Sequence, residues 1–242
     1  MLYLHEVHAV VGEHEEAFEA AYREGWMPLL AEAGGGDEAR LLWYLNHAHG
    51  SGPAYNVVTV TAVRDGAAYQ RLAEALCSGK GDGALRDWAR SVGELRHHVD
   101  GKLLVPVEWS PLQEVDLGDV PVDGAEHDLS LYMEDTGWPS AALDDYVDFW
   151  DTDYFRMMQR TPADRRILDI QACFQVAYGT HRRPEAVLMQ KIVDYRLLMN
   201  LITEPAEYDP GTWPGSYMYG ALEYRDQWDS KLLRTSSWSP LH

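Results

Sequence analysis

The spacing of apolar and polar residues in the first half of the chain predicts the order strand, helix, strand, strand, helix, strand. Residues 13–33 carry Ala17, Ala21 and Met27 at helical spacing, and three glycines at 34–36 end this helix. A second helical pattern covers residues 66–79 and continues over 84–98. The predicted strands cover residues 2–11, 41–49, 55–63 and 101–109.

The second half repeats this order. A long helix is predicted over residues 140–160 and a short one over 196–203. Residues 205–217 are interrupted by proline and glycine, so they are predicted to form a loop. The predicted strands of this half cover residues 128–134, 167–178, 186–195 and 230–238.

A sequence repeat links the two halves. Residues 94–112 read ELRHHVDGKLLVPVEWSPL and residues 223–241 read EYRDQWDSKLLRTSSWSPL, with ten identities in nineteen positions. A match of this length at one offset indicates a duplication. We therefore predict an α+β chain of two ferredoxin-like (βαββαβ) repeats, 1–113 and 128–242, with a linker at 114–127. The helix-free faces of the two sheets are expected to close on each other around a small-molecule cavity.

Charge and cysteine content narrow the choice of partners and compartment. The formal net charge of -19 repels phosphate backbones and anionic lipids, so neither nucleic acid nor a membrane is an expected partner. Cys77 and Cys173 lie in different halves and form no CxxC pair, which favours a reducing cytoplasm over a disulfide framework. The acidic N-terminus lacks a signal-peptide layout, and no apolar run approaches the roughly 18 residues of a membrane span.

Two stretches of the first half resemble a known family. MLYLHEVHAVVGEHEEAF is similar to the start of NIPSNAP-type proteins, and YNVVTVTAVRDGAAYQRLAEAL is similar to their third strand and following helix. The chain thus resembles the dimeric α/β-barrel superfamily, which includes the antibiotic-biosynthesis-monooxygenase-like proteins, in a fused two-repeat form. The resemblance implies an intramolecular dimeric α/β barrel. Cofactor-free monooxygenases, cyclases, lyases, haem enzymes and binding proteins share that fold, so it does not select a reaction.

Strand alternation indicates which side chains face the cavity. In the strand 167–178, every second residue from Leu168 to Val176 is apolar and is expected to meet the helices. The alternate residues, which include Asp169, Gln171 and Gln175, should then line the cavity. Aligning the two repeats transfers this facing to Trp43, His47 and His49. The remaining strands add Thr59, Thr61, Tyr132 and Glu134, and slightly favour His5 over Glu6 and His8.

Histidines and carboxylates on one lining suggest acid–base chemistry without a cofactor. An imidazole can move a substrate proton near neutral pH, and a carboxylate can orient it. The expected function is therefore a cyclase, lyase, isomerase or monooxygenase type of reaction on a hydrophobic or aromatic metabolite, plausibly in secondary metabolism. The candidate catalytic residues are His5, His47, His49, Glu134 and Asp169. The candidate substrate-binding residues are Trp43, Thr59, Thr61, Tyr132, Gln171 and Gln175.

Other functions stay open at this stage. His47 and His49 have usable spacing for a divalent metal, with His5 as a third ligand. Haem is disfavoured, because the histidines of the second half (His127, His181 and His242) fall in predicted linker, loop or tail. Nucleotide and serine-hydrolase motifs are absent. A non-catalytic binding protein remains an alternative, and a homodimer is compatible with the pattern.

Overall fold

A computed structural model describes residues 1–33, 36–81, 83–180, 183–203 and 216–242. His181 therefore lies outside the described residues. The predicted loop 205–217 also lies outside them, except for its last two residues. The strands are β1 (Leu2–Val10), β2 (Ala39–His47), β3 (Asn56–Val63), β4 (Arg96–Pro106), β5 (Leu131–Pro139), β6 (Leu168–Tyr178), β7 (Ala186–Ile192) and β8 (Arg225–Thr235).

The predicted helices form in the predicted order, and two of them contain a π-helical segment. The helix predicted to run to residue 98 ends at Gly93, because β4 starts at Arg96, and the short helix Tyr217–Gly220 was not predicted. In the first half α1 (Glu15–Ala20) continues through a π-helix (Ala21–Trp26) into α2 (Met27–Glu32), followed by α3 (Gly66–Ser78) and α4 (Ala84–Gly93). In the second half α5 (Leu143–Phe149) continues through a π-helix (Trp150–Phe155) into α6 (Arg156–Arg160), followed by α7 (Tyr195–Thr203) and α8 (Tyr217–Gly220). Among the described residues, no helix combines the length and apolarity needed to cross a membrane.

The strands form one closed antiparallel barrel in the order β1-β3-β2-β8-β5-β7-β6-β4. The first four strands take the order β4-β1-β3-β2, and the last four take the same order, β8-β5-β7-β6. Two seams join these sheets, one between β2 and β8 and one between β4 and β6. The expected α+β architecture, with two sheets covering each other, is confirmed as an eight-stranded barrel.

The β2–β8 seam is short. It contains the pairs Leu45↔Thr235, Asn46↔Arg234 and His47↔Leu233, and there β2 ends. Strand β8 starts at Arg225, so its first part extends past the last β2 pair while β5 still pairs with it. The Ala48 N–H and the Ser51 hydroxyl still bond to the carbonyl oxygen of Leu232, and the pairing of β2 with β8 ends there, next to His47.

Register shifts inside β2 and β6 change the facing of these two strands. The register of β2 shifts between Leu41 and Trp43, and that of β6 shifts between Ile170 and Ala172. A bulge adds one residue to one strand, so every later side chain moves to the opposite face.

Apolar side chains from all eight strands pack inside the barrel, as expected when an eight-stranded interior is just wide enough to be filled. Leu117 and Val120 of the linker pack on this cluster together with Met1, at the end where β1 begins. The interior expected to hold a small molecule is thus lined largely by fully buried side chains. The buried members of the cluster on the strands are Tyr3, Leu42, Trp43, Leu45, Val58, Val60, Ala62, Leu104, Tyr132, Ala172, Phe174, Val187, Met189 and Leu233.

Candidate functional site

A buried ionic network crosses the barrel interior. His5 on β1 places its Nε2 2.7 Å from Oε2 of Glu134 on β5, which lies on the opposite side of the barrel. The second oxygen of Glu134, Oε1, accepts a hydrogen bond of 2.9 Å from Nζ of Lys231 on β8. Strand alternation places these groups inside the barrel. His5 lies two residues after the inward-facing Tyr3 on β1, and Glu134 lies two residues after the inward-facing Tyr132 on β5.

Exposure falls along this network from the surface to the interior. Asp229 is half exposed and lies 3.3 Å from Lys231 Nζ. The side chain of Lys231 is 17% exposed, whereas Glu134 and His5 are 0% and 1% exposed. The network therefore links the barrel surface to its interior.

Charge balance determines the protonation of the carboxylate. Burial alone would raise the pKa of Glu134, but the charges of Lys231 and His5 and their hydrogen bonds hold it well below its usual value. Burial would lower the pKa of Lys231, but Glu134 and then Asp229 raise it above its usual value. Glu134 is therefore a carboxylate and Lys231 an ammonium at neutral pH.

This assignment fixes which nitrogen of His5 donates. A carboxylate only accepts hydrogen bonds, so His5 donates to Glu134 through Nε2–H, and Nδ1 is the ring nitrogen left over. Nδ1 is buried and has no hydrogen-bond partner among the described residues. A buried polar atom without a partner costs about 1–3 kcal/mol, so such an atom needs a functional or solvent explanation.

His47 lies at the end of β2. Both of its ring nitrogens are buried and have no hydrogen-bond partner within the described part of the chain. Burial and then the charge of Lys231 lower the pKa of His47, with a partial opposing effect of Glu134 and Asp229. His47 is thus a neutral imidazole beside Lys231 at neutral pH. The turn after β2 is close, because a Cβ on Gly52 would lie 2.9 Å from His47 Nδ1.

Trp43 and Tyr132 lie in the interior with these groups. Their ring centroids are 6.3 Å apart in an edge-on arrangement, and both are almost fully buried. The alignment of the two repeats predicted this placement for Trp43, and the alternation of β5 predicted it for Tyr132. Their part in substrate binding stays a prediction.

The expected facing of Thr59 and Thr61 is wrong. The Thr59 hydroxyl lies 3.0 Å from Nε2 of His8, and Thr61 accepts a hydrogen bond from Trp26 Nε1 in the π-helix. Both threonines therefore point at the helices. Val58, Val60 and Ala62 of β3 face the barrel interior instead. Both faces of this strand are buried, so polarity does not distinguish them.

The expected facing of β6 fails beyond its bulge. Ala172 and Phe174 point into the barrel, while Cys173 packs on the helix side. Gln175 approaches Asp144 in α5, and Gln171 bonds to Asp169. Asp169 itself is exposed, and so is His49, which follows the end of β2. The catalytic and binding roles assigned to these polar residues lack the interior position on which they depended.

Lys231 was not among the site residues predicted from the sequence. The signal was present in the repeat, which places lysines at 102 and 231 in the same KLL context. Lys102 lies opposite His5 in the β1–β4 register, as Lys231 lies opposite Glu134 in the β5–β8 register. Since His5 offers no anion, Lys102 pairs with Glu185 at 2.8 Å.

A second polar cluster lies outside the barrel, around His8. Arg96 Nη1 donates to His8 Nδ1 at 2.7 Å, and His8 Nε2 lies 3.0 Å and 3.1 Å from the hydroxyls of Thr59 and Tyr22. Burial, and then the charges of Arg96 and His5, lower the pKa of His8 well below its usual value. Both ring nitrogens are occupied, which is typical of a structural histidine.

The metal alternative lacks its ligand set. No group of three or more His, Cys, Asp or Glu side chains within the described ranges is arranged to hold a metal ion. His5, His47 and His49 are therefore not assembled as the spacing suggested. His127 bonds through both ring nitrogens to backbone carbonyl oxygens and stacks on His242.

Sequence comparison finds no matching family model and no matching curated protein. A putative monooxygenase from Lactobacillus acidophilus aligns over 99% of this chain and 97% of its own, with 10% identity and a TM-score of 0.56. An anthrone oxidase-like protein aligns over 97% and 91%, with 8% identity and a TM-score of 0.59. A NIPSNAP domain protein from Burkholderia xenovorans aligns over 45% and 97%, with 18% identity and a TM-score of 0.37. The two full-length matches confirm the expected dimeric α/β-barrel fold of the chain.

Proposed function

We propose that this protein is a small-molecule enzyme that uses His5 as a general base, without a cofactor. The observation that carries the proposal is the unpartnered Nδ1 of His5, on a ring whose Nε2–H is held by Glu134. A carboxylate that orients an imidazole fixes its tautomer and stabilises the cation formed when the ring takes a proton.

Lys231 determines whether His5 or Glu134 takes up the substrate proton. Its charge keeps Glu134 ionised and lowers the basicity of the carboxylate, so a substrate proton goes to His5 Nδ1 rather than to Glu134. When Nδ1 takes the proton, the imidazolium is paired with Glu134 at 2.7 Å. A local cation then forms next to an existing anion, which lowers the free energy of the transition state in a site shielded from water.

The side chains of the barrel interior indicate the substrate class. Trp43 and Tyr132 supply aromatic side chains in the interior. We place the entrance at the end of β2, beside His47. We expect a hydrophobic or aromatic metabolite with an acidic C–H or O–H group. Loss of such a proton is the first step available to cyclases, lyases, isomerases and cofactor-free monooxygenases alike. Solved proteins of the same fold named as putative monooxygenase and anthrone oxidase-like support this class by analogy.

We also propose that the two sheets are copies of one βαββαβ unit, 1–113 and 128–242. The π-helices begin at Ala21 and Trp150, which are 129 positions apart, as are the paired residues of the WSPL repeat. His5 and Glu134 share this separation. One copy would then carry the base and the other its orienting carboxylate, a division of labour that a duplication makes available.

We also propose that the protein is located in the cytoplasm. Cys77 and Cys173 are both free thiols in the structure, and Cys77 is exposed. Exposed free thiols suit a reducing compartment.

The base can be tested before the natural substrate is known. The ring opening of 5-nitrobenzisoxazole requires only abstraction of one C–H proton and reports a base in an apolar site. Wild-type protein should accelerate it, and His5→Gln should lower the rate by about 10²–10⁴-fold. His98→Gln changes an exposed histidine and should leave the rate unchanged. Thermal melting of each variant verifies that the fold is kept.

A non-catalytic binding protein would behave differently in the same assay. The unpartnered Nδ1 of His5 would then accept a hydrogen bond from a ligand, and the probe would bind without turnover. Equal rates for wild type and His5→Gln would therefore refute the proposed enzyme.

A further inference from the structure

A second ionic pair lies next to His5 in the barrel interior. Lys102 is the β4 residue directly opposite His5 of β1 in the strand register. It lies two residues before the inward-facing Leu104, so alternation turns the Lys102 side chain inward as well. Directly opposite residues of antiparallel strands have Cβ atoms about 4.5–5.5 Å apart. The side chain of Lys102 therefore starts beside that of His5, on the same face of the sheet.

A carboxylate of the second half holds Lys102 in place. The Nζ of Lys102 lies 2.8 Å from Oε1 of Glu185, which directly precedes β7. The other oxygen of Glu185 accepts a hydrogen bond of 2.5 Å from Trp138 Nε1. The side chain of Glu185 is 1% exposed, whereas that of Lys102 is 12% exposed. The buried carboxylate thus fixes a lysine that still has accessible surface.

The equivalent lysine of the second half is more fully neutralised. The repeat aligns Lys102 with Lys231, and Asp100 with Asp229. Lys231 has two carboxylates near its Nζ, at 2.9 Å and 3.3 Å, and the second belongs to Asp229. Among the ion pairs of the described residues, Lys102 has Glu185 alone, and Asp100 does not reach it. Lys102 is therefore better able than Lys231 to stabilise an additional negative charge.

Both ionic networks reach an open pocket beside β8. The pocket measures about 510 Å³, lies along the part of β8 that extends past the end of β2, and has Trp138 and Asp229 among its lining residues. Trp138 bonds to the carboxylate that holds Lys102, and Asp229 contacts the lysine of the His5 network. The two networks thus connect this pocket to the part of the interior where His5 and Lys102 are neighbours.

We propose that Lys102 donates a hydrogen bond to the oxygen anion that forms when His5 takes a proton from the substrate. This inference rests on the proposed function. The C–H or O–H bond of the substrate breaks, the proton goes to Nδ1 of His5, and the electron pair stays on the substrate, where oxygen carries the charge. A fixed cation at that oxygen stabilises the charge as it develops. The substrate is therefore an enolisable carbonyl compound or a phenol, because in both the oxygen lies close to the acidic hydrogen.

Two benzisoxazoles test the role of Lys102 in the full chain. In their ring opening the C–H proton goes to the base, the N–O bond breaks, and its electron pair stays on oxygen as a phenolate. The nitro group of 5-nitrobenzisoxazole stabilises this phenolate, and the chlorine of 5-chlorobenzisoxazole does so much less. Lys102→Met should thus lower the rate about tenfold for the nitro compound and about 10²-fold for the chloro compound. Equal losses for the two compounds would overturn the proposal.

Binding of the phenolate separates Lys102 from the base. The product of the nitro compound, 2-cyano-4-nitrophenolate, is an oxygen anion that has no proton to give. In calorimetric titration it should bind to wild type and to His5→Gln, and about tenfold more weakly to Lys102→Met. If wild type binds the phenolate in this way but opens neither benzisoxazole, the proposed base is wrong and the anion site stands. No binding to wild type, or unchanged affinity in Lys102→Met, would overturn the anion site.

Further variants control for folding and charge. Lys102→Met leaves the buried Glu185 without its cation, so thermal melting accompanies each assay. The double variant Lys102→Met with Glu185→Gln removes both charges and should show the same losses of rate and affinity, whereas wild-type values would refute the role of Lys102. Lys102→Arg keeps a cation and should keep most of the phenolate affinity. Lys80→Met changes an exposed lysine that pairs with Glu74, and it should leave rate and affinity unchanged.

Discussion

At the residue scale, the charges of Glu134 and Lys231 stabilise each other. The carboxylate is fully buried and accepts hydrogen bonds from Lys231 and His5. Glu134→Gln keeps the shape but removes the charge, and so leaves an ammonium largely out of water without an anion. We expect the free energy of unfolding to fall by about 3–5 kcal/mol, measured by urea denaturation.

A paired variant controls for this loss. Glu134→Leu with Lys231→Met removes both charges and fills the space with apolar groups, so it should recover most of the lost stability. If Glu134→Gln is as stable as wild type, the network carries no energetic coupling, and the assigned charge state of Glu134 is wrong.

His8 gives a prediction on pH. Burial, then Arg96 and His5, lower its pKa in the folded protein well below 6.5. Below about pH 6.5 the unfolded chain therefore binds a proton at His8 that the folded protein excludes, and stability falls as the pH falls. His8→Gln should reduce this slope between pH 5 and 6.5 by up to about 1.4 kcal/mol per pH unit.

Urea denaturation at a series of pH values measures that slope. His98→Gln serves as the control, because His98 is exposed and Arg96 does not bond to it. An identical slope in wild type and His8→Gln would show that His8 is protonated in the folded protein, against its hydrogen bond from Arg96.

At the element scale, the sequence predicted which strands and helices form but only part of their facing. The inward positions of His5, Glu134 and Tyr132 followed from alternation, since β1 and β5 carry no bulge over these residues. In β6 the same alternation gave the opposite face, because the bulge after Ile170 reverses the parity. No local pattern in ILDIQACFQV marks that extra residue, so periodicity alone could not locate it.

Element contacts also explain the other errors. Both faces of β3 are buried, one by the barrel and one by the π-helix, so Thr59 and Thr61 could not be assigned by polarity. Lys231 was missed because it lies far from Glu134 in sequence and meets it only through β5–β8 pairing. Chemistry that depends on long-range register is therefore the part that a single sequence does not reveal.

At the scale of the whole molecule, the two halves of the barrel carry complementary residues: His5 lies in the first half and its partner Glu134 in the second. The inner face of the first sheet carries Trp43, Val60 and Leu104, which need cover from a second sheet. Residues 1–113 alone are therefore expected to self-associate. Such a homodimer would bring two copies of His5 to the place where His5 meets Glu134, and it would leave both without a carboxylate.

Residues 1–113 and 128–242, produced together as separate chains, should thus form a heterodimer in preference to either homodimer. The reason is electrostatic: only the mixed pair joins His5 to Glu134 and Lys102 to Glu185 across the two chains. Size-exclusion chromatography with light scattering gives the mass, and tags of different size on the two fragments give the composition. Glu134→His in the second fragment should remove the preference, since it recreates the paired histidines. A random mixture of the unmodified fragments would show that apolar burial alone directs the association.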